Sequence, residues 1–113
     1  LQSLVLMNDV QFFEAARKLA ERVMLNGGSE ANDRLIFAFR IATSRTPGPF
    51  EIDSLLRLQQ EYQTEFAANP EAAVKLISAG EAAREDKLQP AELAAWTMIS
   101  HLLLNLSETV TQN

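Results

Sequence analysis

The chain has no cysteine and only one histidine in its 113 residues. Without cysteine there is no disulfide framework, no thiol nucleophile and no thiolate metal site. The compartment stays open, because cytosolic and secreted proteins can both lack cysteine. A single histidine removes every multi-histidine metal motif. Positive charge is also in short supply. Ten lysines and arginines stand against fifteen aspartates and glutamates, a formal net charge of -5. That balance lacks the basic footprint that phosphate backbones require. Nucleic acid is therefore excluded as a partner, unless the few cations gather on one face.

Long hydrophobic runs are missing too. The most apolar stretch, Leu93–Leu106, has 14 residues and is interrupted by Thr97, Ser100, His101 and Asn105. A spanning helix needs about 20 mainly apolar residues, so no transmembrane segment is expected. No signal peptide is visible. β-Branched runs of period two and hairpin dipeptides are absent, and no period repeats along the chain.

What is present is a core-forming composition, 47% hydrophobic with six phenylalanines, cut into helices by four glycines and four prolines. Leu1–Asn8 reads as the tail of a helix. Asp9 is placed to cap a second helix over Val10–Leu25, where Phe12, Phe13, Ala16, Leu19, Ala20, Val23 and Met24 share a face at spacings of three and four. Glu14 with Lys18, and Arg17 with Glu21, pair at i,i+4 on the wetter side. Gly27 and Gly28 stop this helix. Ser29 then caps a third helix running to about Thr43. Its stripe is Leu35, Ala38, Phe39 and Ala42, widened by Ile36, Phe37 and Ile41, so burial on more than one side is expected.

Thr46-Pro47-Gly48-Pro49 is the strongest break and a hinge candidate. A long helix follows over about Phe50 to Ala67. Asn69-Pro70-Glu71 is a restart signal, with asparagine as cap and proline at the first helical position. That helix reaches Gly80, and Glu81–Gln89 reads as a polar loop. Pro90 opens the final helix, whose apolar side carries Leu93, Trp96, Ile99, Leu103 and Leu104. The polar tail Thr109–Asn113 is expected to fray. The fold class is all-α, a compact bundle of about five or six helices forming one domain over residues 1–113. The chain starts at Leu1, in the middle of an apolar run. It is therefore read as the C-terminal fragment of a longer multidomain protein.

No set of side chains assembles into a recognisable catalytic constellation. His101 needs an orienting acid or a nucleophile to act as a base. Its neighbour Ser100 faces elsewhere on a helix, and Glu108 lies two turns away. Glu92 and Glu108 read as helix-end acids. Gly27-Gly28 lacks the preceding strand and lysine of a phosphate loop. Asn105-Leu106-Ser107 matches a glycosylation acceptor but falls in a helix. Arg34, Arg40 and Arg45 lie together. Arg34 can pair with Glu30, and Arg40, between Phe39 and Ile41, can reach an acid across a helix interface or meet a partner's carboxylate. Trp96 fits core spacing, with an interface anchor as the alternative. Adjacent Phe12 and Phe13 cannot point the same way, so one of them is left to touch a partner or the upstream segment of the parent. The candidate binding or interface residues are therefore Phe12, Phe13, Arg40, Arg45, Trp96, His101 and Glu108. No catalytic residue, metal ligand or cofactor is assigned.

Several blocks resemble a known family. Leu1-Gln2-Ser3-Leu4-Val5-Leu6-Met7-Asn8-Asp9, with Phe12 and Glu14-Ala15-Ala16-Arg17, is similar to the C-terminal region of a planctomycete family termed domain of unknown function 1553. Arg34, Ala38-Phe39-Arg40 and Arg45-Thr46-Pro47 continue the likeness. Glu92-Leu93-Ala94-Ala95-Trp96-Thr97 and Leu102-Leu103-Leu104-Asn105-Leu106-Ser107-Glu108-Thr109 close it, so that it extends over nearly the whole chain. Ser107 departs from a more frequent aspartate, and Gly48-Pro49-Phe50 from a more ordinary entry to Glu51. The resemblance implies a multidomain, periplasmic or envelope-associated parent with no assigned reaction, often accompanied by cytochrome c-like modules. It carries no haem chemistry to this cysteine-free chain.

The expectation is thus a non-catalytic helical domain that packs against the rest of its parent or another protein. An apolar patch near Leu1–Phe13 is expected to mark the contact. The alternative is an accessory substrate-binding or hydrolytic domain acting on envelope polysaccharide, its hollow lined by Arg40, Arg45, Trp96, His101 or Glu108. Whether the domain is an enzyme stays open, as does its oligomeric state.

Overall fold

A helix that is apolar all round has no face to offer water and must be surrounded. The stretch after Pro90 is such a helix. Ala91, Leu93, Ala94, Ala95, Trp96, Thr97, Ile99, Ser100 and Leu103 are all buried. The computed structural model describes residues 9–78 and 87–112, with side chains from Phe13 to Ser78 and from Lys87 to Ser107. Among the described residues there are five helices and no strand. They are α1 (Asp9–Asn26), α2 (Ala31–Thr43), α3 (Pro49–Ala68), α4 (Pro70–Ile77) and α5 (Pro90–Gln112). Helix α5 is the axis of the bundle, and each of the other four packs against it. The radius of gyration, 13.4 Å, is that of a compact chain of this length. No helix among the described residues is long and apolar enough to cross a membrane.

Local chemistry sets most helix ends as expected. Asn69 Oδ1 accepts the Ala72 N–H at 3.4 Å, with Pro70 at the first helical position. Gly27 ends α1 by donating its N–H to Val23 O at 2.8 Å. A Cβ on Gly27 would meet that same oxygen at 2.5 Å, and Gly28 holds φ at +96°. Both positions demand glycine. Ser44 closes α2 in the left-handed region at φ 64°, its N–H bonded to Arg40 O.

Several boundaries and orientations differ from expectation. Ser29 does not cap α2. Glu30 holds the cap position, and its side chain makes no capping bond. Helix α4 stops at Ile77, short of Gly80. Helix α5 extends to Gln112, so that the polar stretch from Thr109 is helical to that point. The Thr46–Pro49 break is pinned. Pro47 is buried, and the Arg45 guanidinium binds Glu51 through Nη1 at 3.2 Å and Nη2 at 2.8 Å. The Glu51 carboxylate also accepts the Gly48 N–H at 2.8 Å, and Arg45 lies 4.8 Å over the Phe39 ring.

The largest correction concerns Arg17 and Glu21. They pair as expected, Nη1 to Oε2 at 2.8 Å, yet not on the wet side. Arg17 is 1% exposed and Glu21 8%. Helix α1 is covered over a wider arc than its apolar residues alone imply, so the pair is enclosed with it. The Leu1–Asn8 run and the side chain of Phe12 lie outside the described residues. So do the side chain of Glu108 and most of the Glu81–Gln89 loop.

Candidate functional site

Helix α2 was expected to be buried on more than one side, and its second side proves to be open. Leu35, Ala38 and Phe39 face the core. Ile36 and Phe37 are half-buried, and Ile41 is 39% exposed. Together with Asp33, Arg40, Ser44 and Gly27 they line a groove of about 530 Å³ on the outer face. The positions 33, 36, 37, 40, 41 and 44 follow the three-and-four spacing of one helical stripe. This groove therefore runs along α2, with an acid in the first turn and a base in the last. Each charge complements the helix dipole at its own end.

Neither Asp33 nor Arg40 makes an ion pair or side-chain hydrogen bond among the described residues. Arg40 is exposed and does not cross a helix interface to an acid. The interfacial arginine is Arg34. Its Nη1 donates to Glu92 Oε2 at 2.8 Å, its Nε to Gly28 O at 2.8 Å and its Nη2 to Met24 O at 3.3 Å. It thus pairs with Glu92 and not with Glu30. Glu92 is held in turn at the entry of α5, where its N–H donates to Gln89 Oε1 at 2.7 Å.

The remaining candidates are dispersed. Arg45 is exposed, and its partner Glu51 holds it in the pinned turn. Their mutual hydrogen bond is the main cause that pushes the Arg45 pKa up and the Glu51 pKa down, the Gly48 N–H adding to the latter. Trp96 is 1% exposed, a core residue. His101 is half-buried and stacks on Phe13 with ring centroids 4.0 Å apart and planes 5° from parallel. This is the pair of predicted residues that the fold brings into contact. Ser100, beside it in sequence, is fully buried. The described residues hold no cluster of three or more histidine, aspartate or glutamate side chains arranged for a metal ion.

Sequence reasoning missed Asp33 as a groove residue and Glu92 as the partner of Arg34. The first had a signal. Ile36, Phe37 and Ile41 extend the α2 stripe past the arc that one core can cover, so part of it had to stay open. The second had none, since it depends on how α2 crosses α5.

A family model described as "Protein of unknown function (DUF1553)" matches residues 1–59. That is just over half of the 113 residues. Position 59 lies inside α3, so the limit of the match is not a structural boundary. The likeness of Glu92–Thr97 and Leu102–Thr109 falls beyond it. No curated protein and no solved structure matches the chain.

Proposed function

This chain belongs to the DUF1553 family of proteins of unknown function, and on that premise we propose that it is a non-catalytic helical interaction module of a larger extracytoplasmic protein. The working surface in this reading is the outer face of α2. The observation that carries it is the groove itself. Half-buried and exposed apolar side chains flank a cation, Arg40, that has no partner among the described residues, while Arg17, Arg34 and Arg45 are all bound to acids of the same chain. A polar group committed to an internal bond serves the fold. An uncommitted one amid open apolar surface is suited to a partner. An accessory polysaccharide role would need Arg40, Arg45, Trp96, His101 or Glu108 around one hollow. Of those with described side chains, Arg40 alone lines the groove.

The absence of cysteine from these 113 residues supplies the test, each introduced thiol being read on its own peptide. A single Ile41→Cys substitution places one thiol in the groove, and Arg57→Cys places one on exposed α3 as a reference. Alkylation is followed by mass spectrometry in the full-length natural protein. The reading predicts that position 41 is protected relative to position 57. Equal alkylation at both positions overturns it. Titration with neutral and sulfated oligosaccharides tests the rival role, and no binding at millimolar ligand is expected.

A further inference from the structure

The groove on α2 has an order of charges that a second copy of the same face can satisfy. Asp33 stands at one end, Arg40 at the other, and Ile36 and Phe37 lie between them. In an antiparallel helix pair related by a two-fold axis, residues meet when their numbers sum to a constant. Setting Asp33 against Arg40 of the second copy sets Arg40 against that copy's Asp33 at the same time. The axis then passes between Ile36 and Phe37, so that apolar meets apolar at the centre. The seven-residue separation spans about 10.5 Å along each helix, so both ends close without bending either. Antiparallel dipoles also place each first turn beside the partner's last turn.

We propose that the outer face of α2 is a self-complementary docking surface whose partner is a second copy of this chain, joined across a two-fold axis with two reciprocal Asp33–Arg40 ion pairs flanking an apolar centre. This proposal rests on the reading of α2 as an interaction face and names its partner. One helix face falls short of the roughly 800 Å² per partner that a standard stable interface buries. The dimer is therefore weak and reversible. The charge of -5 on each copy opposes it at low ionic strength and is screened at physiological salt.

Sedimentation velocity from low micromolar to near-millimolar protein, at physiological salt, tests the proposal. The wild-type chain is expected to show a concentration-dependent dimer. Asp33→Lys and Arg40→Glu each create two like-charge contacts across the axis and are expected to weaken association about tenfold or more. The double swap, Asp33→Lys with Arg40→Glu, restores both pairs while keeping the net charge at -5, and is expected to restore the dimer. An equimolar mixture of the two single variants is likewise expected to associate. The swaps reverse favourable helix-end charges, so circular dichroism checks each fold. Ile36→Gln, at the apolar centre of the contact and outside the hydrophobic core cluster, keeps both ion-pair charges and is expected to weaken the dimer. A wild-type chain that is monomeric throughout overturns the proposal. It leaves the protection of position 41 to decide the interaction reading separately. A dimer indifferent to the charge swaps, or one that the double swap fails to restore, also overturns it.

Discussion

Arg34 and Glu92, 58 residues apart, meet at 2.8 Å and join α2 to the first turn of α5. The same guanidinium also holds Gly28 O and Met24 O, so one side chain ties the end of α1, the turn after it and the entry of the central helix. Arginine suits this task because its planar fork offers several donors in fixed directions. Arg34→Ala is expected to destabilise the chain by about 2–3 kcal/mol, the size of losing charge-assisted bonds at a partly buried site. Arg34→Lys recovers less than half of that, because an ammonium cannot span three acceptors. Urea unfolding of the two variants measures both values.

The buried Arg17–Glu21 pair makes a different prediction. With Arg17 fully enclosed, removing Glu21 takes away the carboxylate that accepts from its Nη1 at 2.8 Å. Glu21→Ala is expected to cost about 3 kcal/mol, more than an exposed helical pair such as Asp53–Arg57, which contributes about 0.3–0.5 kcal/mol. Thermal unfolding of Glu21→Ala and Asp53→Ala, each against the wild type, gives the comparison.

Backbone geometry sets a third expectation. Gly27→Ala drives a Cβ to 2.5 Å from Val23 O, a backbone atom that cannot turn aside. Gly28→Ala makes only ordinary contact with the Asp33 side chain but keeps a positive φ of 96°. The first is expected to destabilise by about 2 kcal/mol or more and the second by about 1 kcal/mol. An inverse order in denaturant midpoints would contradict the geometry of this turn.

The pinned turn carries a pH dependence. The Arg45 hydrogen bond, helped by the Gly48 N–H, holds the Glu51 carboxyl below its ordinary value. A carboxyl whose pKa is lower in the folded chain stabilises it at pH above the ordinary carboxylate range. That stabilisation is lost as pH falls through the depressed value. Both side chains are solvent-exposed, so the effect is small. Glu51→Gln is expected to be slightly less stable than wild type near neutrality, with the gap closing between about pH 5 and pH 3. Melting temperatures across that range check the sign.

Much of this architecture was legible in the residues. The glycine pair, the Asn69-Pro70 restart and Pro90 punctuate the chain because their effects are local, fixed by φ, by a missing N–H or by a capping oxygen. The α2 core stripe was equally plain, since periodicity is a local property. Burial of polar residues was not legible. Arg17 and Glu21 look like a surface pair at i,i+4, and only tertiary packing encloses them. Glu92 looks like a helix-end acid, which it is, and nothing nearby in sequence points to Arg34. The candidate site was half visible. Arg40 was singled out together with the apolar residues beside it, but whether it would cross to an internal acid or face outward depended on tertiary geometry. Trp96 fits core spacing in the sequence and is enclosed, which removes the interface alternative, and His101, a candidate binding residue, stacks on Phe13.

The central claim is that the outer face of α2 is where this chain meets a second copy of itself. Backbone and methyl NMR spectra recorded over a dilution series of the wild-type chain test it most directly. The account predicts concentration-dependent shifts confined to the stripe from Asp33 to Ser44, largest at Ile36, Phe37 and Ile41. Shifts that leave this stripe unmoved while another face responds, or spectra that do not change with concentration, would contradict self-association through α2.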